Sequence, residues 1–158
     1  MLVVSEQTLI VMCGLPGSGK SFYANIYAEN KDDYELISTD AIRKELLGDE
    51  NDQSDGWLIF MTAYSRINSI LSCGKSAIFD ATNITHKNRR KVIKYYRSTF
   101  PEIKLICICM KTPVDICIER DSNRERVVGK DRIESMSRRF IYPVKEEGWD
   151  GVIFIEEL

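Results

Sequence analysis

The stretch at residues 14–21, which reads GLPGSGKS, constrains this chain more than any other feature. It fits the pattern G-x-x-x-x-G-K-[ST], a glycine-rich turn whose backbone N–H groups surround phosphate oxygens. The apolar run at residues 8–12 is typical of a buried strand, and residues 22–29 are typical of a helix. Because strand, loop and helix follow in the order that this motif requires, the sequence predicts a nucleoside triphosphate site.

The residue types of this loop indicate how the nucleotide is held. Its glycines allow a tight backbone path, and the following helix directs the positive end of its dipole at the same anion. Lys20 is placed to neutralise the β- and γ-phosphates, and the Ser21 hydroxyl can join the shell of a bound Mg²⁺. The predicted nucleotide-binding residues of the loop are Gly14, Gly17, Ser18, Gly19, Lys20 and Ser21.

Strand and helix patterns alternate along the rest of the chain, which predicts an α/β fold with βα repeats. We expect a P-loop kinase-like, three-layer sandwich: a mainly parallel sheet of about five strands with helices on both faces. Further strands are predicted at 34–38, 77–80, 103–110 and 152–155, and further helices at 40–47, 57–71 and 85–100. The apolar face of the helix at 57–71, which includes Phe60, is expected to belong to the core. A helix capped by Thr112 with Pro113 at its first position, and one opened by a capping box at Asp131, complete a single domain, 1–158.

Composition excludes several classes of protein. The 158 residues are 44% hydrophobic and 29% charged, and no apolar run reaches transmembrane length. Residues 1–6 lack the features of a leader, so we expect a cytoplasmic protein with no membrane partner. The five cysteines form no C-x-x-C pair and there is one histidine, so we expect small buried hydrophobic residues rather than a zinc site or a disulfide framework.

The formal net charge is −2, but the charged residues are unevenly distributed along the chain. Basic residues gather at 87–97 and 120–139, and acidic residues at 29–35, at 49–55 and after 146. Such runs are solvated helix faces or the binding site of a second anion, and the sequence leaves both interpretations open. The acidic pI of about 5.5 favours binding of a small molecule, or of only a short stretch of nucleic acid, at such a site.

Two carboxylates follow predicted strands at the edge of the sheet where ligands bind. Asp40 lies after the strand at 34–38, and Arg43 shares its helical face, so the pair suits a general base beside an anion-binding group. Asp80 ends the strand at 77–80, where a carboxylate orients Mg²⁺ water around Ser21. The alternatives are a helix-capping Asp40 with a surface Arg43, and a turn or capping Asp80.

An arginine-rich segment, predicted as a mobile lid at about 120–131, lies between two capped helices. Phosphoryl transfer needs cations around the transferred group once water is excluded. Arg124 and Arg126 cannot point the same way from a regular helix, so we expect one at the nucleotide and the other in solvent. Arg124 is favoured for the nucleotide because it lies four residues after Arg120 on the same helical face.

These motifs resemble the phage-type polynucleotide 5′-hydroxyl kinases within the small P-loop kinases. The likeness spans most of the chain, through residues 14–21, 38–43, 80–83 and 120–124. The resemblance implies that Asp40 is the general base, that Arg43 holds the acceptor's phosphate, and that Arg124 grips the donor, with Lys20 and Ser21 serving ATP and Mg²⁺. The S-x-D-x-x-R element at 38–43 is its most discriminating part.

The sequence supports three functions. The first is an ATP- and Mg²⁺-dependent kinase acting on the 5′-hydroxyl of a nucleic-acid end. A second is a kinase for a nucleoside, sugar or antibiotic, and a third is a non-catalytic nucleotide-binding module. Relatives in the resembled family often carry a phosphatase or ligase domain, so a separate repair partner is an expectation for a chain that stops at Leu158.

Overall fold

Alternating strands and helices form a sheet of five parallel strands in the computed structural model, which describes residues 6–156. The expectation about a leader concerns residues 1–6, of which residues 1–5 lie outside the described part of the chain. The elements are β1 (Thr8–Cys13), α1 (Lys20–Glu29), β2 (Tyr34–Ser38), α2 (Thr39–Leu47), α3 (Gly56–Ser72), β3 (Ser76–Asp80), α4 (His86–Thr99), β4 (Lys104–Met110), α5 (Val114–Ser122), α6 (Lys130–Arg139) and β5 (Gly151–Ile155). The strand order is β2-β3-β1-β4-β5 and every pairing is parallel.

The central strand β1 is buried on both faces, as a parallel sheet covered by helices requires. Leu9 and Val11 pack with α3 and α4 on one face, whereas Ile10 and Met12 pack with α1 on the other. The predicted three-layer α/β architecture is therefore confirmed. A smaller apolar cluster joins Leu15 of the glycine-rich loop to α5 and α6.

Two predicted helix caps are wrong. The helix predicted to begin at a capping box on Asp131 begins at Lys130, and Gly129 occupies the cap position without a side-chain hydrogen bond. Likewise α5 begins at Val114, and the Thr112 hydroxyl donates a 2.7 Å hydrogen bond to the Ser18 carbonyl. Thr112 therefore tethers the glycine-rich loop. A local capping rule cannot anticipate this contact, because the partner lies far away in the sequence.

One basic residue of the 87–97 run is part of the core. Arg89 is 0% exposed, and its Nε and Nη2 atoms donate to the two carboxylate oxygens of Glu147 at 2.9 and 2.8 Å. Its Nη1 atom donates to the carbonyl of Asn83 at 3.0 Å. This ion pair fixes α4 to the segment before β5, so Arg89 does not belong to a solvated helix face.

Four of the cysteines, Cys13, Cys107, Cys109 and Cys117, are buried and unpaired, as small hydrophobic residues would be. Cys73 is exposed where α3 ends, so the expectation of buried cysteines is wrong there. Within residues 6–156, no helix combines the length and the apolar character needed to cross a bilayer.

Candidate active site

The carboxyl ends of β1, β2 and β3 meet at one edge of the sheet, where ligands bind in open parallel sheets. Ser38 and Asp80 lie opposite each other at the ends of β2 and β3. The N–H of Gly14 donates a 2.9 Å hydrogen bond to the carbonyl of Thr82, which ties the glycine-rich loop to the segment after β3. One cleft at this edge is lined by the side chains that the sequence assigned to chemistry: Lys20, Ser21, Asp40, Arg43, Asp80 and Arg124.

The glycine-rich loop has the backbone path that the motif requires. Gly17 and Gly19 adopt φ angles of 79° and 91°, which side chains of L-amino acids rarely tolerate. A Cβ atom on Gly17 would also lie 2.3 Å from the carbonyl oxygen of Cys117 on α5. The loop is therefore shaped by its glycines on one side and by α5 on the other.

The cation in this loop has no counter-charge. Lys20 is 8% exposed, and it makes no hydrogen bond or ion pair with any residue between 6 and 156. The Ser18 hydroxyl beside it is also buried without a partner. Because a buried charge without a partner is strongly unfavourable, the arrangement suits an anionic ligand at the loop.

Asp80 and Ser21 form a polar pair that fits a divalent cation. The Ser21 Oγ atom donates a 2.7 Å hydrogen bond to Oδ2 of Asp80, which is 5% exposed. The second carboxylate oxygen, Oδ1, is buried and has no hydrogen-bond donor. A hydroxyl and an unsatisfied carboxylate oxygen beside a phosphate site are ligands that Mg²⁺ accepts directly or through water.

Asp40 is not a helix cap, which removes the structural alternative for this residue. The N-cap of α2 is Ser38, whose side chain accepts from the N–H of Ala41. The Asp40 carboxylate, 40% exposed, accepts from Arg43 at 3.1 Å and from Arg126 at 2.8 Å. The guanidinium of Arg43 is only 11% exposed, so it is not the surface arginine of the alternative interpretation.

The lid arginines are placed differently from the prediction. Helix α5 ends at Ser122, so Arg124 lies in the following turn and not on the helical face of Arg120. Arg124 pairs with Asp121, while Arg126 reaches Asp40 and the acidic loop through Glu50. The expectation that one of the two arginines points to solvent is therefore wrong: both line the cleft, and Arg126 is the less exposed.

Asp121 organises the lid from the end of α5. This carboxylate is 1% exposed and accepts from the N–H groups of Val128 and Gly129 at 3.1 and 2.9 Å, as well as from Arg124. Burial by itself would raise the pKa of Asp121, but these hydrogen bonds and the Arg124 charge hold it below its usual value. The ionised form is therefore the one that holds the lid over the cleft.

Sequence reasoning missed several cleft residues, including one aromatic and two polar side chains. Phe60 was interpreted as core, yet it is 37% exposed and lines the cleft. Arg132 of α6 and Gln53 of the acidic loop line it as well. Arg132 continues the arginine-rich run beyond the lid, which was the available signal, whereas Gln53 lies in a polar loop without any motif.

Comparisons with known proteins identify a family and several similar chains. A family model described as an AAA domain matches residues 9–143. An L-seryl-tRNA(Sec) kinase from Methanococcus maripaludis is 25% identical over 152 residues, covering 90% of this chain and 56% of the relative. The chain thus spans just over half the length of that curated relative.

Solved structures show the same fold. A chain of the Pnkp1/Rnl/Hen1 RNA repair complex superposes with a TM-score of 0.74 at 19% identity, covering 85% of this chain and 44% of that one. A sugar kinase from Janibacter sp. HTCC2649 superposes with a TM-score of 0.65 at 18% identity, covering 94% and 85% of the two chains. The chain belongs to the AAA domain family that matches residues 9–143, and it has the fold of the P-loop kinases.

Proposed function

We propose that this protein transfers the γ-phosphoryl group of ATP, with Mg²⁺, to the 5′-hydroxyl of a nucleic-acid end. The observation that carries the proposal is that the Asp40 carboxylate and the unpartnered Lys20 ammonium line the same cleft. A carboxylate on the acceptor side can take the proton of the attacking hydroxyl. Lys20 and Arg124 stabilise charge on the transferred group, and the Asp80–Ser21 pair holds the metal, which neutralises the phosphate oxygens.

The cations around Asp40 favour an acceptor that carries a phosphate of its own. Arg43 is nearly buried, and its Nε atom has no hydrogen-bond partner. A phosphate next to the acceptor hydroxyl would accept from this guanidinium in place of part of the Asp40 contact. A neutral sugar or nucleoside would leave the same guanidinium without a counter-charge once Asp40 has taken a proton.

A small-molecule acceptor is the second candidate. It is favoured by the similarity to the sugar kinase, which extends over 85% of that chain, whereas only 44% of the RNA repair chain is covered. The acidic pI of about 5.5 points the same way, since long contacts with a phosphate backbone need a basic surface.

A labelling experiment separates the candidates. ATP labelled at the γ-phosphate is incubated with Mg²⁺ and a 5′-hydroxyl oligonucleotide, alongside nucleosides and sugars, with a 5′-phosphorylated oligonucleotide as the blocked control. We expect label on the 5′-hydroxyl oligonucleotide and none on the blocked one. Label on a small molecule alone would replace the proposal by the second candidate, and binding of ATP without any transfer would leave a nucleotide-binding module.

A further inference from the structure

A second cavity of about 380 Å³ lies beside the cleft, between α3 and α4. Phe60 lines both cavities, so the two adjoin each other at this side chain. The surface is here called the α3/α4 groove, and its walls include Trp57, Phe60, Met61, Tyr64, Asn88 and Lys91.

The α3 wall of the groove exposes large apolar side chains. Trp57 is 75% exposed and Met61 is 48% exposed, and with Tyr64 they recur at helical spacing along one side of α3. The opposite side of α3 buries Ile59, Ala63 and Ile67 completely in the core. Because α3 already has a full core face, packing of the fold does not explain the exposed indole of Trp57.

The α4 wall of the groove contains Lys91, one of four exposed cations of this helix. Among residues 6–156, no carboxylate pairs with the exposed side chains of Lys87, Arg90, Lys91 and Lys94. The other basic residues of this helix are different, since Arg89 pairs with Glu147 and Arg97 pairs with Asp150. The groove therefore contains an exposed indole and Lys91, which belongs to a helix with further exposed cations outside the groove.

We infer that the α3/α4 groove binds the nucleotides that follow the 5′-terminal nucleotide of a single-stranded acceptor. This inference rests on the proposed function. Trp57 stacks on a base, and Lys91 contacts the adjoining phosphate. Aromatic side chains interleaved with cations are the usual means of binding single strands, because every base has a π-face and every nucleotide a charge. Because Phe60 lines both the groove and the cleft that contains Asp40, a strand whose 5′ end reaches the carboxylate can extend into the groove.

An acceptor-length series tests the inference. The acceptors are a nucleoside 3′-phosphate, a dinucleotide and a hexanucleotide, each with a free 5′-hydroxyl, and KM and kcat are measured separately. We expect Trp57→Ala to raise the KM of the hexanucleotide about tenfold, to leave the nucleoside 3′-phosphate unchanged, and to keep kcat at the parental value. Trp57→Phe should recover most of the loss, and Lys91→Ala should reduce the slope of log KM against log salt by about one.

The matched control is Phe154→Ala, which removes an exposed aromatic side chain from β5 and should leave every KM unchanged. Equal hexanucleotide KM values for the parent and Trp57→Ala would overturn the inference while leaving the proposed function intact. Failure of the parental protein to label any oligonucleotide would instead overturn the proposed function.

Tryptophan fluorescence tests whether the groove binds an oligonucleotide, independently of phosphoryl transfer. The chain has two tryptophans, and Trp149 is only 3% exposed, so quenching by a ligand reports on Trp57. Without ATP, a 5′-phosphorylated hexanucleotide should quench the parental emission and leave Trp57→Phe unaffected, and a sugar should quench neither. Absence of quenching at saturating hexanucleotide concentrations would overturn the inference, whatever the labelling assay gives.

Discussion

Two arginine–carboxylate clusters in this molecule have the same chemistry and opposite surroundings. The closed cluster pairs Arg89, 0% exposed, with Glu147, and it joins α4 to the segment before β5. The open cluster pairs Asp40, 40% exposed, with Arg43 and Arg126 at the cleft. Burial separates their roles: a partner lost inside the protein leaves a charge that water cannot reach, whereas the partners of Asp40 can exchange for a substrate.

Electrostatics at the closed cluster support this distinction. Burial alone would raise the pKa of Glu147, but hydrogen bonds from Arg89 and Trp149, with the Arg89 charge, lower it. Burial opposes the charge on Arg89 in the same way, yet the Glu147 carboxylate leaves the pKa of Arg89 raised. Both groups therefore stay ionised, and each depends on the other.

The largest effect is expected at the open end of the molecule. Lys20→Met should lower kcat/KM about a thousandfold, since a charged donor aimed at the transferred group is lost. Its Tm should stay unchanged or rise, because a buried cation without a partner is replaced by an apolar chain. Transfer assays with calorimetry measure both, and a Tm that falls by several degrees would show that Lys20 is structural.

The closed cluster should respond in the opposite way. Glu147→Gln leaves Arg89 without a counter-charge, and it should destabilise the fold by about 3 kcal/mol. For a chain of this size that is a Tm lower by roughly 9 °C, with kcat of the remaining folded protein unchanged. The control is Glu45→Gln, which breaks the equally bidentate but exposed pair with Arg66 and should leave Tm almost unchanged.

Arg126 sharpens the comparison because it carries an ion pair at the open cluster. Arg126→Met should lower kcat about a hundredfold, because the guanidinium that positions the Asp40 carboxylate is removed. Tm should change little, since a partly exposed pair contributes under about 1 kcal/mol. A lower Tm with an unchanged kcat would show that the role of Arg126 is structural. It would contradict the distinction between the two clusters that is drawn from burial.

The lid carboxylate should be visible in the pH dependence of stability. The folded-state pKa of Asp121 is lowered from 3.8, so its contribution is complete above that value and disappears as pH falls through the lowered pKa. Asp121→Asn should remove about 1–2 kcal/mol at neutral pH and less as the pH falls below 4. Denaturant titrations from pH 2.5 to 7 measure the difference, and a cost that is constant over this range would exclude the ionised carboxylate as the source.

The smallest effect is expected at the tether of the glycine-rich loop. Thr112→Val removes the 2.7 Å hydrogen bond to the Ser18 carbonyl and should weaken ATP binding about fivefold through a loop that is less fixed. Thr112→Ser keeps the donor and should bind ATP as the parent does. Equal weakening by both variants would show that the hydrogen bond is not the cause, since only Thr112→Val removes it.

The outline of the fold and much of the cleft followed from local pattern. Alternating apolar strands and amphipathic helices predicted the sheet, because the hydrophobic pattern of each element can be recognised within about ten residues. The motifs at residues 14–21 and 38–43 predicted side chains that share one cleft, because the carboxyl ends of parallel strands meet at one edge.

The contacts that the sequence could not supply are long-range. Arg89 reads as one more cation in a basic run, and only the position of Glu147, 58 residues later, makes it structural. Arg126 could not be placed because its partner, Asp40, is 86 residues away and a helical-face argument does not apply beyond the end of α5. The predicted helix cap at Thr112 was wrong for the same reason, since the hydroxyl of Thr112 binds the carbonyl of a loop that is distant in sequence.

The central claim is that the Asp40 carboxylate accepts the proton of the acceptor hydroxyl. Its most direct test measures kcat and the ATP dissociation constant of Asp40→Asn, with the exposed Asp33→Asn as the matched control. The account predicts that kcat of Asp40→Asn falls about a thousandfold while its ATP dissociation constant stays within about twofold of the parent. Transfer at the parental rate by Asp40→Asn would contradict it.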